Sequence, residues 1–112
     1  MGAPPQLTPE ERARALAKAK QSRLVRAGIK SRVKSGELSI TDVLELAKSD
    51  EAVAKMRVLE LVESIAGVGK IRAKVLLEKL EISLTRRLQG LGSRQAKALA
   101  QEFISPSPLT RG

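Results

Sequence analysis

Gly67, Val68, Gly69 and Lys70 follow one another in the middle of an apolar frame. Gly67 and Gly69 can take backbone angles closed to other residues, and without side chains they let a second backbone or a phosphate come close. The helix that starts behind them offers unpaired N–H groups and the positive end of a dipole. Loop amides, helix start and Lys70 together make a corner suited to phosphate. A short Gly-x-Gly on its own reads equally as a plain turn between two helices. Here the frame favours a site: Leu61, Val62 and Ile65 come before it, and Ala73, Leu76, Leu77 and Leu80 after it. A second group of cations, Arg86 and Arg87, has no carboxylate close in sequence and lies between Leu84 and Leu88.

Little else in the chain could do chemistry. It has no His, Cys, Tyr or Trp, one Phe, and no Asp after Asp50. A base-excision lysine would need an acidic partner and a pocket for a flipped base. Glu78 and Glu81 near Lys74 read more simply as helix-surface pairs. Catalysis, a metal, a cofactor and a small-molecule substrate are therefore not expected. Without cysteines there is no disulfide chemistry, which fits a reducing compartment. No apolar run approaches the roughly 20 residues needed to span a bilayer.

The 112 residues carry a net charge of +9, unevenly spread. Residues 1–36 hold +7, residues 37–64 hold −4, residues 65–104 hold +5, and Arg111 adds the last charge. A basic arm and a basic C-terminal half flanking an acidic middle suggest a surface for a polyanion. The acidic residues of the middle read as a solvated face turned away from it.

These groups are positioned by an all-α chain. Residues 1–7 read as disordered. Thr8-Pro9-Glu10-Glu11 is a helix start with a capping box and proline at the first helical position. The helix runs to Ser35, with Gly36 as its stop. Val25, Ile29 and Val33 form an apolar stripe, with Leu24 beside it, so the second half docks and the first half projects. Gly28 is a weak point within it, costing about 1 kcal/mol against alanine. Arg12, Arg14, Lys18, Lys20, Arg23 and Arg26 read as a solvated face or as secondary contacts to a polyanion. Acidic residues at pairing distance along the helix are nearly absent past Glu11, which favours the second reading.

A compact domain is expected over residues 36–104. Ser39 caps a helix with its apolar face at Ile40, Val43, Leu44 and Ala47. Ser49-Asp50 starts a short turn through Ala54. Val58, Leu61, Val62 and Ile65 lead into the glycine hairpin. Ile82, Leu84, Leu88 and Leu91 anchor the connection that carries Arg86 and Arg87. Ser93 caps a last helix facing inward with Ala96, Leu99, Ala100 and Phe103, with Arg94 and Lys97 on its other side. Residues 105–112 read as a flexible tail. No period-2 run is long enough for a strand.

Ile65-Ala-Gly-Val-Gly-Lys-Ile-Arg-Ala73, Leu80-Glu-Ile82 and Thr85-Arg-Arg-Leu-Gln-Gly-Leu-Gly92 together resemble a helix–two-turns–helix element. That element occurs in a small-subunit ribosomal protein and in some DNA glycosylases. Pro5-Gln-Leu-Thr8, the long basic helix, Ser49-Asp-Glu51, Lys55-Met56 and Arg94-Gln-Ala-Lys-Ala-Leu99 narrow the likeness. In order and spacing they resemble the actinobacterial integration host factor family, from about Pro5 to Phe103. Despite the shared name, this family is unrelated to the β-ribbon integration host factor. The resemblance implies a nucleoid-associated, cytoplasmic protein that binds and bends double-stranded DNA and supports phage integrase reactions. It places backbone contacts on Gly67, Val68, Gly69, Lys70, Arg86 and Arg87, which Arg72, Lys74 and Arg94 join as neighbouring cations. Gln89 stands where the family often has a third basic residue. A monomer is expected. An RNA- or ribosome-binding protein of the same fold is the alternative, and a DNA glycosylase or lyase a more distant one.

Overall fold

Residues 6–104, without the Ile104 side chain, are described by the structure, a computed structural model. The expectations for residues 1–5 and for the tail 105–112 lie outside the described residues. Among the described residues six α-helices follow one another: α1 (Pro9–Lys34), α2 (Ile40–Ala47), α3 (Glu51–Ala54), α4 (Val58–Glu63), α5 (Gly69–Lys79) and α6 (Ser93–Ile104). A short 3-10 turn, Leu88–Gly90, precedes α6.

Local chemistry explains most of the helix ends. Thr8 Oγ1 accepts from the Glu11 N–H at 3.0 Å while Glu11 accepts from the Thr8 N–H at 2.8 Å, closing the capping box of α1. Ser39 and Asp42 do the same for α2. Asp50 caps α3 by accepting from Ala52 and Val53. At the end of α1, Gly36 has φ +86°, and the N–H groups of Gly36 and Glu37 return to the carbonyls of Val33 and Arg32. That pairing satisfies carbonyls the helix leaves open. The same device closes α5, but with Glu81 at φ 59° in the position glycine usually takes.

One departure concerns α6. Ser93 is its first residue rather than its cap. Gly92 accepts from the Ala96 N–H, and the Gln95 side chain accepts from the Gly92 N–H at 3.2 Å. Gln95 also donates to the Glu81 carbonyl at 3.1 Å, so one side chain ties the end of α5 to the start of α6.

The core is aliphatic. Val43, Val58, Leu61, Val62, Ala73, Leu77, Leu99 and Met56 are fully buried, and Phe103 is only partly buried. Ile29 and Val33 bring the second half of α1 into this core, and Val25 packs at its edge. Leu24 stays out, 58% exposed. Residues 9–20 of α1 are exposed throughout, as a projecting arm requires. The helix continues through Gly28 without a break. The principal extents of 61 × 31 × 25 Å reflect that arm.

Candidate nucleic-acid interface

The hairpin between α4 and α5 is built by its two glycines. Gly67 has φ +85° and Gly69 φ +72°. A Cβ added at either would meet nothing within 4 Å. Their need for glycine is thus conformational, and the space above them is open to an incoming group. Among the described residues the N–H groups of Gly69, Lys70 and Ile71 find no acceptor. Lys70 is exposed beside them. The Val68 N–H already donates to the Ile65 carbonyl at 3.0 Å, so it is not among the open amides. Val68 is half-buried within the turn. Arg72 curls back, with Nη1 donating to the Gly67 carbonyl at 3.1 Å, and braces the hairpin.

Two cations that sequence reasoning did not select lie against this hairpin. Lys30 and Lys34, from the docked half of α1, share with Gly67 and Gly69 the lining of a depression of about 510 Å³. They stand one helical turn apart, and the i, i+4 spacing was readable. What the sequence could not show is that α1 passes beside the hairpin. Glu63 lines the same depression, so this one acidic residue of the middle segment is not turned away from the basic surface.

Arg86 and Arg87 sit on a pinned loop. The Val58 N–H donates to the Arg86 carbonyl and the Leu88 N–H to the Met56 carbonyl, both at 2.9 Å. These two bonds flank an isolated antiparallel bridge between Arg57 and Arg87. Fully buried Met56 and Val58, with Leu88, lie beneath it. Arg87 Nη1 donates to the Lys55 carbonyl at 2.7 Å, and Arg86 Nη1 to the Gly90 carbonyl at 3.0 Å. A Cβ at Gly90 would come within 3.2 Å of Arg86 Cδ, so that glycine makes room for the arginine chain. Both guanidiniums keep further donors. No carboxylate lies within 4 Å of Arg57, Arg86 or Arg87 among the described residues.

Helix α4 separates the two groups. Its six residues span about 9 Å, with the arginine bridge at its N-terminal end and the hairpin at its C-terminal end. The hairpin and the arginine loop thus stand at opposite ends of α4. Lys74 and Arg94 are exposed on α5 and α6. Lys74 pairs with neither Glu78 nor Glu81 within 4 Å, contrary to expectation. Gln89 lines the larger depression, of about 710 Å³, between α2 and α6.

The arm cations Arg12, Arg14, Lys18, Lys20 and Arg23 are exposed, while Arg26 is half-buried on the docking half. Lys18 is not a free cation: its Nζ lies 3.5 Å from Glu51, which Lys55 also approaches at 3.0 Å. The Lys55 hydrogen bond, followed by the charge of Lys18, holds the Glu51 carboxyl below its ordinary value. Among the described residues no cluster of three His, Cys, Asp or Glu could hold a metal, and no helix is long and apolar enough to cross a membrane.

These features define a class. Residues 33–103 match the S13-like H2TH domain, the helix–two-turns–helix fold. Three relatives named Integration host factor narrow it. That of Mycobacterium tuberculosis is 50% identical over 90% of this chain and 96% of its own length. That of Mycolicibacterium smegmatis is 48% identical over 88% and 94%. That of Streptomyces coelicolor is 46% identical over 90% and 94%. A solved structure described as sIHF bound to an 8-base-pair palindromic DNA superposes with a TM-score of 0.76 and is 42% identical, covering 78% of this chain and 98% of that one. The chain belongs to the actinobacterial integration host factor family.

Proposed function

We propose that this chain is a non-enzymatic, nucleoid-associated protein that binds duplex DNA as a monomer in the cytoplasm. The observation that carries the reading is the pairing of a glycine hairpin having open amides with a pinned, uncompensated arginine loop at the other end of α4. The amides of Gly69, Lys70 and Ile71, with the Lys70 ammonium, hold one backbone phosphate. Arg86 and Arg87 meet the backbone further along, or enter a narrow minor groove. Such contacts position the protein without reading sequence, so specificity is low. The similarity to a structure containing DNA supports the choice of duplex DNA over RNA. The name carried by the relatives, Integration host factor, supports a role in assisting integrase recombination.

The test is the affinity for random duplex DNA as a function of salt. About five phosphate contacts give a log–log slope near −4 to −5. A slope shallower than about −2, or equal affinity for duplex RNA, overturns the reading. The exposed arm is placed to reach a second DNA segment or the flank of a bent one. Deleting residues 1–20 then weakens compaction of plasmid DNA more than binding to a duplex of about 20 base pairs, because a weak second site acts through effective concentration. Equal losses in both assays would place the arm in the primary site instead.

A further inference from the structure

Arg57 is out of place by every local rule. It occupies the N-cap of α4, at φ −77° and ψ 143°, with no side-chain capping bond. Ser, Thr, Asp and Asn are the residues that stabilise this position. A cation there also opposes the positive end of the helix dipole. Across the isolated bridge it faces a second cation, Arg87. The hydrogen bonds on either side, Val58 to Arg86 and Leu88 to Met56, make Arg57 and Arg87 a non-hydrogen-bonded pair. In such a pair the Cα atoms approach to about 4.5 Å and both side chains leave the same face. Like charges directly opposite are destabilising. Among the described residues Arg57 has no ion pair and no side-chain hydrogen bond that would compensate. Residues that break local rules without an intramolecular gain are expected at functional or strained sites.

We propose that Arg57 and Arg87 together clamp one phosphate of the DNA backbone, making Arg57 a binding residue in its own right. This rests on the DNA-binding reading above. Arg87 keeps Nε and Nη2 for the anion while Nη1 is anchored on the Lys55 carbonyl. Arg57 supplies a second planar fork, and guanidinium is the cation whose geometry matches phosphate oxygens in pairs. Met56, Val58 and Leu88, packed beneath, fix the spacing of the two arginines before DNA arrives. The anion removes the repulsion that the free protein carries.

The experiment substitutes Arg57→Ser in the full-length chain and measures affinity for a random duplex of about 20 base pairs, its salt slope, and the thermal midpoint without DNA. The expected result is a loss of affinity of about five- to tenfold and a slope shallower by about 1. The free protein's thermal midpoint stays the same or rises, since a capping hydroxyl replaces an opposed cation. Arg57→Lys keeps the charge but loses the fork, so the slope is retained while affinity falls in part. If affinity and slope are unchanged in Arg57→Ser while Arg86→Ala with Arg87→Ala weakens binding, the clamp is overturned and the DNA reading stands. If neither variant changes binding, the DNA reading falls with it. Lost affinity accompanied by a lowered thermal midpoint would make Arg57 a folding residue and also overturn the clamp.

Discussion

Lys18 Nζ stands 3.5 Å from the Glu51 carboxylate, joining the exposed half of α1 to the helical body. Lys55, whose carbonyl receives Arg87, approaches the same carboxylate. The arm thus meets Glu51 directly, and the arginine loop is linked to it only through Lys55. Because the Glu51 carboxyl is held below its ordinary value, its contribution is present above the usual carboxylate range and is lost as pH falls through the lowered value. With a spin label at Ala15, broadening of resonances in α3 should persist at neutral pH and weaken as pH falls through the lowered value. Glu51→Gln should remove that broadening at neutral pH and leave overall stability nearly unchanged, as expected of an exposed pair. Broadening insensitive to both changes would show that the ion pair does not hold the arm.

Arg86→Ala with Arg87→Ala should weaken duplex binding strongly, by at least about tenfold, while far-UV circular dichroism stays unchanged. The backbone bonds that pin the loop run through the main-chain atoms of residues 56, 58, 86 and 88 and survive the substitutions. Unaltered DNA affinity in a folded double variant would move the site elsewhere.

Gly69→Glu should abolish binding, because it sets a carboxylate among the amides meant for a phosphate. The residue also sits at φ +72°, where an L side chain costs about 1–2 kcal/mol. Gly69→Ala separates the two effects: it carries the strain without the charge. Titrations of both variants, with stability measured in parallel, distinguish them. Equal binding defects in the two would assign the loss to strain alone.

Glu81→Gly should stabilise the protein by about 0.5–1 kcal/mol, read as a shift in denaturation midpoint. Glu81 holds φ 59° only because the bonds of Ile82 to Leu77 and of Gln95 to its own carbonyl over-determine it. DNA affinity should not change, since Glu81 lies outside the proposed contacts. A destabilised variant would mean that the glutamate's conformation is not strained.

The helices of this chain were legible because their signals are local. Thr8 with Glu11 and Ser39 with Asp42 announce their own caps, and the stripes through Val43, Leu61, Leu77 and Leu99 are spaced for burial. Lys70, Arg86 and Arg87 stand out in the sequence for the same reason, as candidates for the proposed contacts. Arg57 was not: it sits in a segment of net negative charge, and its partner is thirty positions away. Lys30 and Lys34 read as more of a basic helix until the packing of Ile29 and Val33 brings them to the hairpin. Lys18 looked unpaired because its partner comes from α3 rather than from its own helix. Gly92 rather than Ser93 takes the position before the first residue of α6, and its N–H donates to the Gln95 side chain that reaches back to it.

The projecting helix has a hydrodynamic consequence. A 12.1 kDa body extending 61 Å along one axis and 25 Å along another meets more friction than a sphere of equal mass. It should elute early from a sizing column, so that elution volume alone overstates its mass. Sedimentation equilibrium, which is blind to shape, is the measurement that counts copies. The absence of Trp and Tyr leaves scarcely any absorbance at 280 nm, so the run must be followed by interference or at far-ultraviolet wavelengths.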